Sequence, residues 1–283
     1  MKPCSSDPAR IWWCPTGPLV FLPIHAAGIY NEGSQSSGSC VSDFVVSSYA
    51  PTVGTLLEKV KASGVGEPST SKVLLVSQKH TQGLPPTPGA IREMDSVKKI
   101  LGADNCIHLD GATATVSQVK QEMNTCSWVH FACIAAQNIE DPLKSRMYLH
   151  DGPLELLEIT RLRIPQCKFA FLSVCQSAMG DKKLPDEVVH LAAGMLAAGC
   201  HGVVGTMWSI KDNSGAMVAE LFYEYLAAQR DNNDSDGSSP GNRQLDSSRA
   251  AYALHHAVQQ FRKRTGDTEQ GLMDWVPYVH FGL

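Results

Sequence analysis

Five short apolar runs punctuate the chain, at Val73–Val76, Cys106–Leu109, Trp128–Cys133, Phe169–Val174 and Gly202–Trp208. Segments with the spacing of a one-sided helix lie between or after most of them: Ala90–Leu101, Thr113–Met123, Asp186–Ala198 and Asp212–Leu226. A brief, continuous apolar run is how a strand buried on both faces reads. Strands that alternate with helices imply crossovers that return the chain in the same direction. The pattern predicts an α/β fold: a mostly parallel central sheet covered by helices on both faces, three αβα layers in all. Fainter signals add strands at Leu19–Pro23 and Phe44–Val46 and a helix from Pro51 to about Ala62. A last helix is expected over roughly Gln244–Lys263, before an apolar tail from Trp275 to Phe281.

Composition bounds what such a chain can be. Of 283 residues 43% are hydrophobic and 18% charged, enough apolar material for a core and too little charge for global disorder. No internal repeat and no Pro/Ser linker divides the chain, so one domain over residues 1–283 is expected. The segment Asp231–Gly241 is acidic, small and polar with no apolar anchor, and reads as a flexible surface loop. A net charge of −4 gives no electrostatic footprint for nucleic acid or an anionic membrane, so neither is an expected partner. No run reaches the ~18 apolar residues of a membrane span. The polar start, Met1–Arg10, lacks a signal-peptide pattern.

Nine cysteines, at 4, 14, 40, 106, 126, 133, 167, 175 and 200, are irregularly spaced and include no Cys-x-x-Cys pair. That argues against a zinc ribbon or thioredoxin-type site; no metal and no cofactor is expected, and thiols in a reducing, cytoplasmic compartment fit best. The glycines at 194, 199, 202 and 205 lack a following Gly-Lys-Ser/Thr and lead into a strand, which rules against a phosphate loop. No Gly-x-Ser-x-Gly elbow is present.

Two strand ends can carry chemistry. In Phe171-Leu172-Ser173-Val174-Cys175-Gln176 a buried strand ends at a cysteine followed by small and polar residues. Catalytic groups in open α/β sheets gather at the carboxyl ends of strands, where loops form a crevice. On pattern alone the plainer reading of Cys175 is a buried structural cysteine. Trp128-Val129-His130-Phe131-Ala132-Cys133-Ile134-Ala135 is a second strand leading to small residues. Were the two neighbours, a turn after Cys133 would lie beside Cys175.

Together with Pro23–Gly28, Leu84–Glu93, His190–Ala192 with Ala198-Gly199, and Gly202–Asp212, these segments resemble the CHAT family, a branch of the caspase-like cysteine peptidases. The resemblance implies a caspase-like sandwich. The family's strand typically reads His-φ-Ala-Cys-His-Gly, its second His the general base and its Gly N–H part of the oxyanion site. The nucleophile lies in Leu-Ser-Ala-Cys-Gln-Thr. Carried over, Cys175 takes the nucleophile position, Ile134 the base position and Ala135 the glycine position. The sequence departs from the family where the chemistry needs it most.

A cysteine attacks as thiolate, and an unassisted thiol of pKa ~8.5 is only a few per cent ionised at neutral pH. Loss of positioned acid–base help costs about 10²–10⁴ in rate. His130, four residues upstream of Ile134, would lie ~13 Å away along a strand and reads as a core residue with a satisfied nitrogen. Arg92 and Glu93 read as a solvated or helix-pairing pair. Asp212 reads first as a helix cap and second as a cleft carboxylate. Trp208 reads first as packing and second as a substrate-stacking surface.

Three functions follow as expectations. The first is a module of cysteine-endopeptidase ancestry with impaired catalysis, acting in signalling or by binding a protein or peptide partner. The second is an active endopeptidase using Cys175 with another base. The third is a purely structural scaffold. Whether the chain is an enzyme is left open by the sequence.

Overall fold

The computed structural model describes residues 8–30, 39–62, 70–136, 138, 141–176, 187–232 and 244–283. The central strands are β3 (Thr70–Ser77), β4 (Cys106–Asp110), β5 (Cys126–Ala136), β8 (Phe169–Gln176) and β9 (Gly202–Thr206). They run parallel in the order β9-β8-β5-β3-β4. Beyond β9 the direction reverses. β10 (Tyr278–Gly282) pairs antiparallel with β9. β2 (Val45–Tyr49) and β1 (Ala9–Trp13) then run parallel to β10 out to the edge. Short strands β6 (Arg146–Tyr148) and β7 (Pro153–Glu155) branch off β5 in antiparallel pairing.

Helices cover both faces. On one, α3 (Val116–Met123), α4 (Leu156–Leu162) and α5 (Glu187–Ala198) bury Val119, Met123, Ile159, Leu191 and Met195 against Val129, Phe131, Leu172 and Val174 of the sheet. On the other, α2 (Pro88–Leu101), α6 (Asp212–Asn232) and α7 (Ala250–Thr265) bury Met94, Val97, Phe222 and Phe261 with Trp128, Phe169 and Phe171. Neighbouring residues of β5 and β8 serve opposite cores, as the two-residue strand period requires. Two smaller helices complete the set, α1 (Val53–Ala62) and α8 (Glu269–Trp275).

The three-layer α/β architecture is as expected, with four local differences. Leu19–Pro23 is no strand: Gly17–Phe21 forms a 3-10 turn, because Pro18 at its start withholds a ladder donor. The apolar tail divides into α8 and β10. Asp231 and Asn232, expected in the flexible loop, end helix α6, while 233–241 of that loop fall outside the described residues. Cys167 and Cys200 form a disulfide that ties the approach to β8 to the approach to β9, with Cα atoms 4.5 Å apart. The expectation of thiols throughout missed it, since the pair is 33 residues apart in sequence and meets only when β8 and β9 pair.

One ion cluster locks the N-terminal third to the last helices. Arg262 Nε donates to Asp267 Oδ1 at 2.6 Å, and its Nη1 donates to Asp43 Oδ1 at 2.7 Å and to the Cys40 sulfur at 3.1 Å. Its guanidinium also lies over the Trp275 ring, 5.0 Å from the centroid. Burial alone would push the Asp43 carboxyl up, but hydrogen bonds from Cys40 and Arg262 hold it below its ordinary value.

Candidate functional site

β5 and β8 pair in parallel from Trp128 with Phe169 to Ala135 with Gln176, and within that ladder Ile134 is the Cα partner of Cys175. The two strand ends singled out in the sequence are therefore adjacent. Ile134 is 2% exposed and Ala135 1%. The turn expected after Cys133 does not form. β5 continues to Ala136, and Ala135 and Ala136 pair with Met147 and Arg146 of β6. Ile134-Ala135-Ala136 contains no glycine to end the strand, and β6 offers the ladder that extends it. The turn expected after Cys175 falls at 177–186, outside the described residues.

Asp212 opens α6. Trp208 lies just beyond β9; its indole Nε1 donates to the Met273 carbonyl at 3.1 Å, and its ring packs against both cores. That arrangement fits the packing reading of Trp208.

Beside the Cys175 strand lies a buried polar group that the sequence misread. Glu93, expected to form a solvated or helix-pairing pair with Arg92, is 3% exposed. His130 Nε2 stands 2.8 Å from Glu93 Oε1, and Ser173 Oγ donates to Glu93 Oε2 at 2.9 Å. A carboxylate accepts at both oxygens, so Nε2 carries the proton of that contact. The group joins α2 to β5 and to β8, two residues ahead of Cys175. Gly215 of α6 presses on it: a Cβ there would meet Ser173 Oγ at 2.8 Å. A cavity of about 10 Å³, the size of one water, adjoins Glu93, Ser173 and Gly215. His130 also stacks on Tyr223, with centroids 5.6 Å apart, and its Nδ1 has no hydrogen-bond partner. Arg92 meanwhile turns outward to Asn213. A charged residue on a helix with an apolar stripe reads as solvent-facing; its i+1 position beside Arg92 gave no sign of a buried partner on another element.

Burial pushes two other histidines, His25 and His280, toward the neutral form. His25 Nε2 lies 2.8 Å from the Val276 carbonyl and must donate to it, so Nδ1 accepts from the Tyr49 hydroxyl, also at 2.8 Å. Burial pushes the His25 pKa down to about 4, against a smaller opposing pull from Val276. At the far side of β10, Arg10 Nε donates to Ser48 Oγ at 2.9 Å, and Ser48 Oγ stands 3.1 Å from His280 Nδ1. Burial first, and the Arg10 charge second, hold His280 well below its ordinary value. Both ring nitrogens of His25 are engaged, and His130 pairs with Phe171 in the ladder, four residues before Ile134. Among the described residues, no group of three or more His, Cys, Asp or Glu is placed to hold a metal ion. No helix among them is long and apolar enough to cross a membrane.

Comparison with known proteins agrees with the fold. The Arg-specific cysteine proteinase gingipain R is similar in structure, with a TM-score of 0.55 at 10% identity over 84% of this chain and 54% of the other. The complex of the pro- and mature domains of Porphyromonas gingivalis RgpB gives a TM-score of 0.55 at 9% identity over 99% of this chain and 66% of that one. The Saccharomyces cerevisiae separase–securin complex at 2.6 Å resolution gives 0.51 at 14% identity over 86% of this chain and 14% of the other. At these identities the likeness is one of fold, a caspase-like peptidase fold, and the chain spans about half the length of the first and a small part of the last. No curated protein matches the sequence. The CHAT domain family matches residues 3–283, essentially the whole chain, and the chain belongs to that family.

Proposed function

We propose that this chain is a peptidase-derived module that binds a polypeptide partner along the carboxyl ends of β5, β8 and β9, with hydrolysis impaired. One observation carries the reading: the residue in register with Cys175 is Ile134, a buried alkyl group. An alkyl neighbour neither accepts the thiol proton nor protonates a leaving amine. It also lowers local polarity, which favours the neutral thiol. The nearest histidine on that strand, His130, stands four residues back and is hydrogen-bonded to Glu93. The rate deficit expected is about 10²–10⁴ relative to a site with a placed base. The same reading takes the chain as one domain, supported by two apolar cores that share one sheet.

The test is the double change Ile134→His with Ala135→Gly, assayed on a fluorogenic peptide mixture. A Cys175-dependent gain of about 10²-fold or more is expected, the size of a restored general base. No gain in a folded variant would sink the assignment of these positions. Turnover by the unaltered chain that Cys175→Ala abolishes would instead show a working peptidase with another base.

A further inference from the structure

A cavity of about 220 Å³ opens on the α5 face of the sheet, walled by Val20, Tyr49, Ala193, Met207, Val279 and Phe281 among others. Among the described residues its wall contains no ionisable side chain except Tyr49, whose hydroxyl is engaged by His25 and so offers the cavity only its ring. Such a cavity repels charged and strongly polar groups, which would lose their hydration without a partner, and stays dry until an apolar group fills it.

What surrounds the cavity indicates the kind of occupant. Leu19, Phe21 and Leu22, next to Val20 in the chain, are 52%, 48% and 51% exposed. Helix α1, which starts just past the lining residue Pro51, exposes Val53, Leu57 and Val60, at the i, i+4, i+7 spacing of one helical stripe. Apolar surface at both sides of an apolar cavity is more than a small molecule would cover. It suits a polypeptide whose neighbouring residues lie on the two ridges while one side chain fills the hole.

Position adds the connection to Cys175. β9 pairs with β8 with Phe171 opposite Val204, and continuing that register sets Met207 beside Val174. β10, which supplies Val279 and Phe281, is one strand further. At ~4.8 Å per strand the cavity wall lies about 5–10 Å from the β8 backbone, a distance an extended peptide covers in roughly three residues. We infer that this cavity receives a bulky, uncharged apolar side chain of the polypeptide partner, about three residues from the point where the partner passes Cys175. The inference rests on the peptide-binding reading above.

The experiment selects from a displayed library of random dodecapeptides on the purified full chain, then measures selected peptides against two variants. Ala193→Trp fills the cavity from α5, and Leu57→Glu places a charge on the exposed ridge without touching the core. The expected result is enrichment of a Leu, Ile, Phe, Met or Trp at one position, with affinity down roughly 30-fold in Ala193→Trp at unchanged thermal stability, the scale of a lost anchor. Leu57→Glu should weaken the same peptides. Peptides that bind both variants as well as the parent overturn the cavity assignment and leave the peptide-binding reading standing. A library that yields no binder overturns both. A dimer of the parent chain that Ala193→Trp dissolves identifies the occupant as a second copy and also overturns the inference.

Discussion

Ile134 and Cys175 are direct Cα partners in the parallel pairing of β5 with β8, so the β5 residue in register with Cys175 carries an alkyl side chain. The thiol is therefore expected to behave as an ordinary one. Its alkylation rate, measured from about pH 5 to 9 with Cys175→Ala as the blank, should still be climbing at the top of that range, as a pKa of ~8.5 requires. A rate already level by pH 7 would reveal a cation or base beside it and favour an active enzyme.

Glu93 is the shared acceptor of His130 and Ser173. Removing it with Glu93→Ala would strand two buried donors, each costing about 1–3 kcal/mol, so a loss on the order of 3 kcal/mol is expected in denaturant unfolding. Glu93→Gln should cost less, because its amide oxygen still accepts one of the two. A change below half a kcal/mol for Glu93→Ala would show that water replaces the carboxylate without loss.

The histidines set an acid limit. His25 titrates near 4 when folded and near its ordinary value when unfolded, so the unfolded chain binds the extra proton between those limits. Stability from this group is present above about pH 6.5 and falls as pH drops through the folded pKa; at pH 4 the loss is about 3 kcal/mol. His280, shifted the same way by burial, deepens the fall. Chemical unfolding at pH 7, 5.5 and 4 should show it, and His25→Gln should flatten the profile. A flat profile for the parent chain would mean that His25 is hydrated.

Arg262 holds Asp43 and Asp267 with all three side chains about a tenth exposed or less. Arg262→Met leaves two buried carboxylates without their cation and is expected to cost about 3–5 kcal/mol. Proteolysis should then open the segment around Cys40 first, since that segment is joined to α7 through Arg262.

The Cys167–Cys200 bond closes a 33-residue separation. Chain-entropy arguments give such a loop about 3–4 kcal/mol. Reductant should lower the unfolding temperature of the parent chain and leave a Cys167→Ala, Cys200→Ala pair unchanged. Equal melting with and without reductant would mean that both sulfurs remain thiols, the state a reducing compartment favours.

How far the sequence spoke varies with the range of the interaction. Continuous apolar runs such as Val73–Val76 and Phe169–Val174 declare buried parallel strands locally, and the resemblance to the CHAT family rests on those same segments. β6, with three residues, carries no period and exists because β5 offers an edge. The course of β10, antiparallel to β9 and parallel to the distant β2, depends on two partners that only folding brings to its sides. Glu93 looked solvated because a carboxylate on a helix usually is, and its two partners lie on strands that only folding brings near. The Ile134–Cys175 neighbourhood was legible because each strand end announced itself, while the extension of β5 past Cys133 was not, since it depends on β6.

β2 and β10 lie side by side although Ser48 and His280, which meet across them, are 232 residues apart. During synthesis the β1–β2 ribbon must wait, one side unpaired, until almost all of the parallel sheet has been made. Completion of the sheet is then a late, single closing event with a long loop already spent, the kind of topology that folds slowly and leaves an adhesive edge open meanwhile. The ribosome-bound chain, rather than the finished protein, is where this fold is most exposed to mispairing.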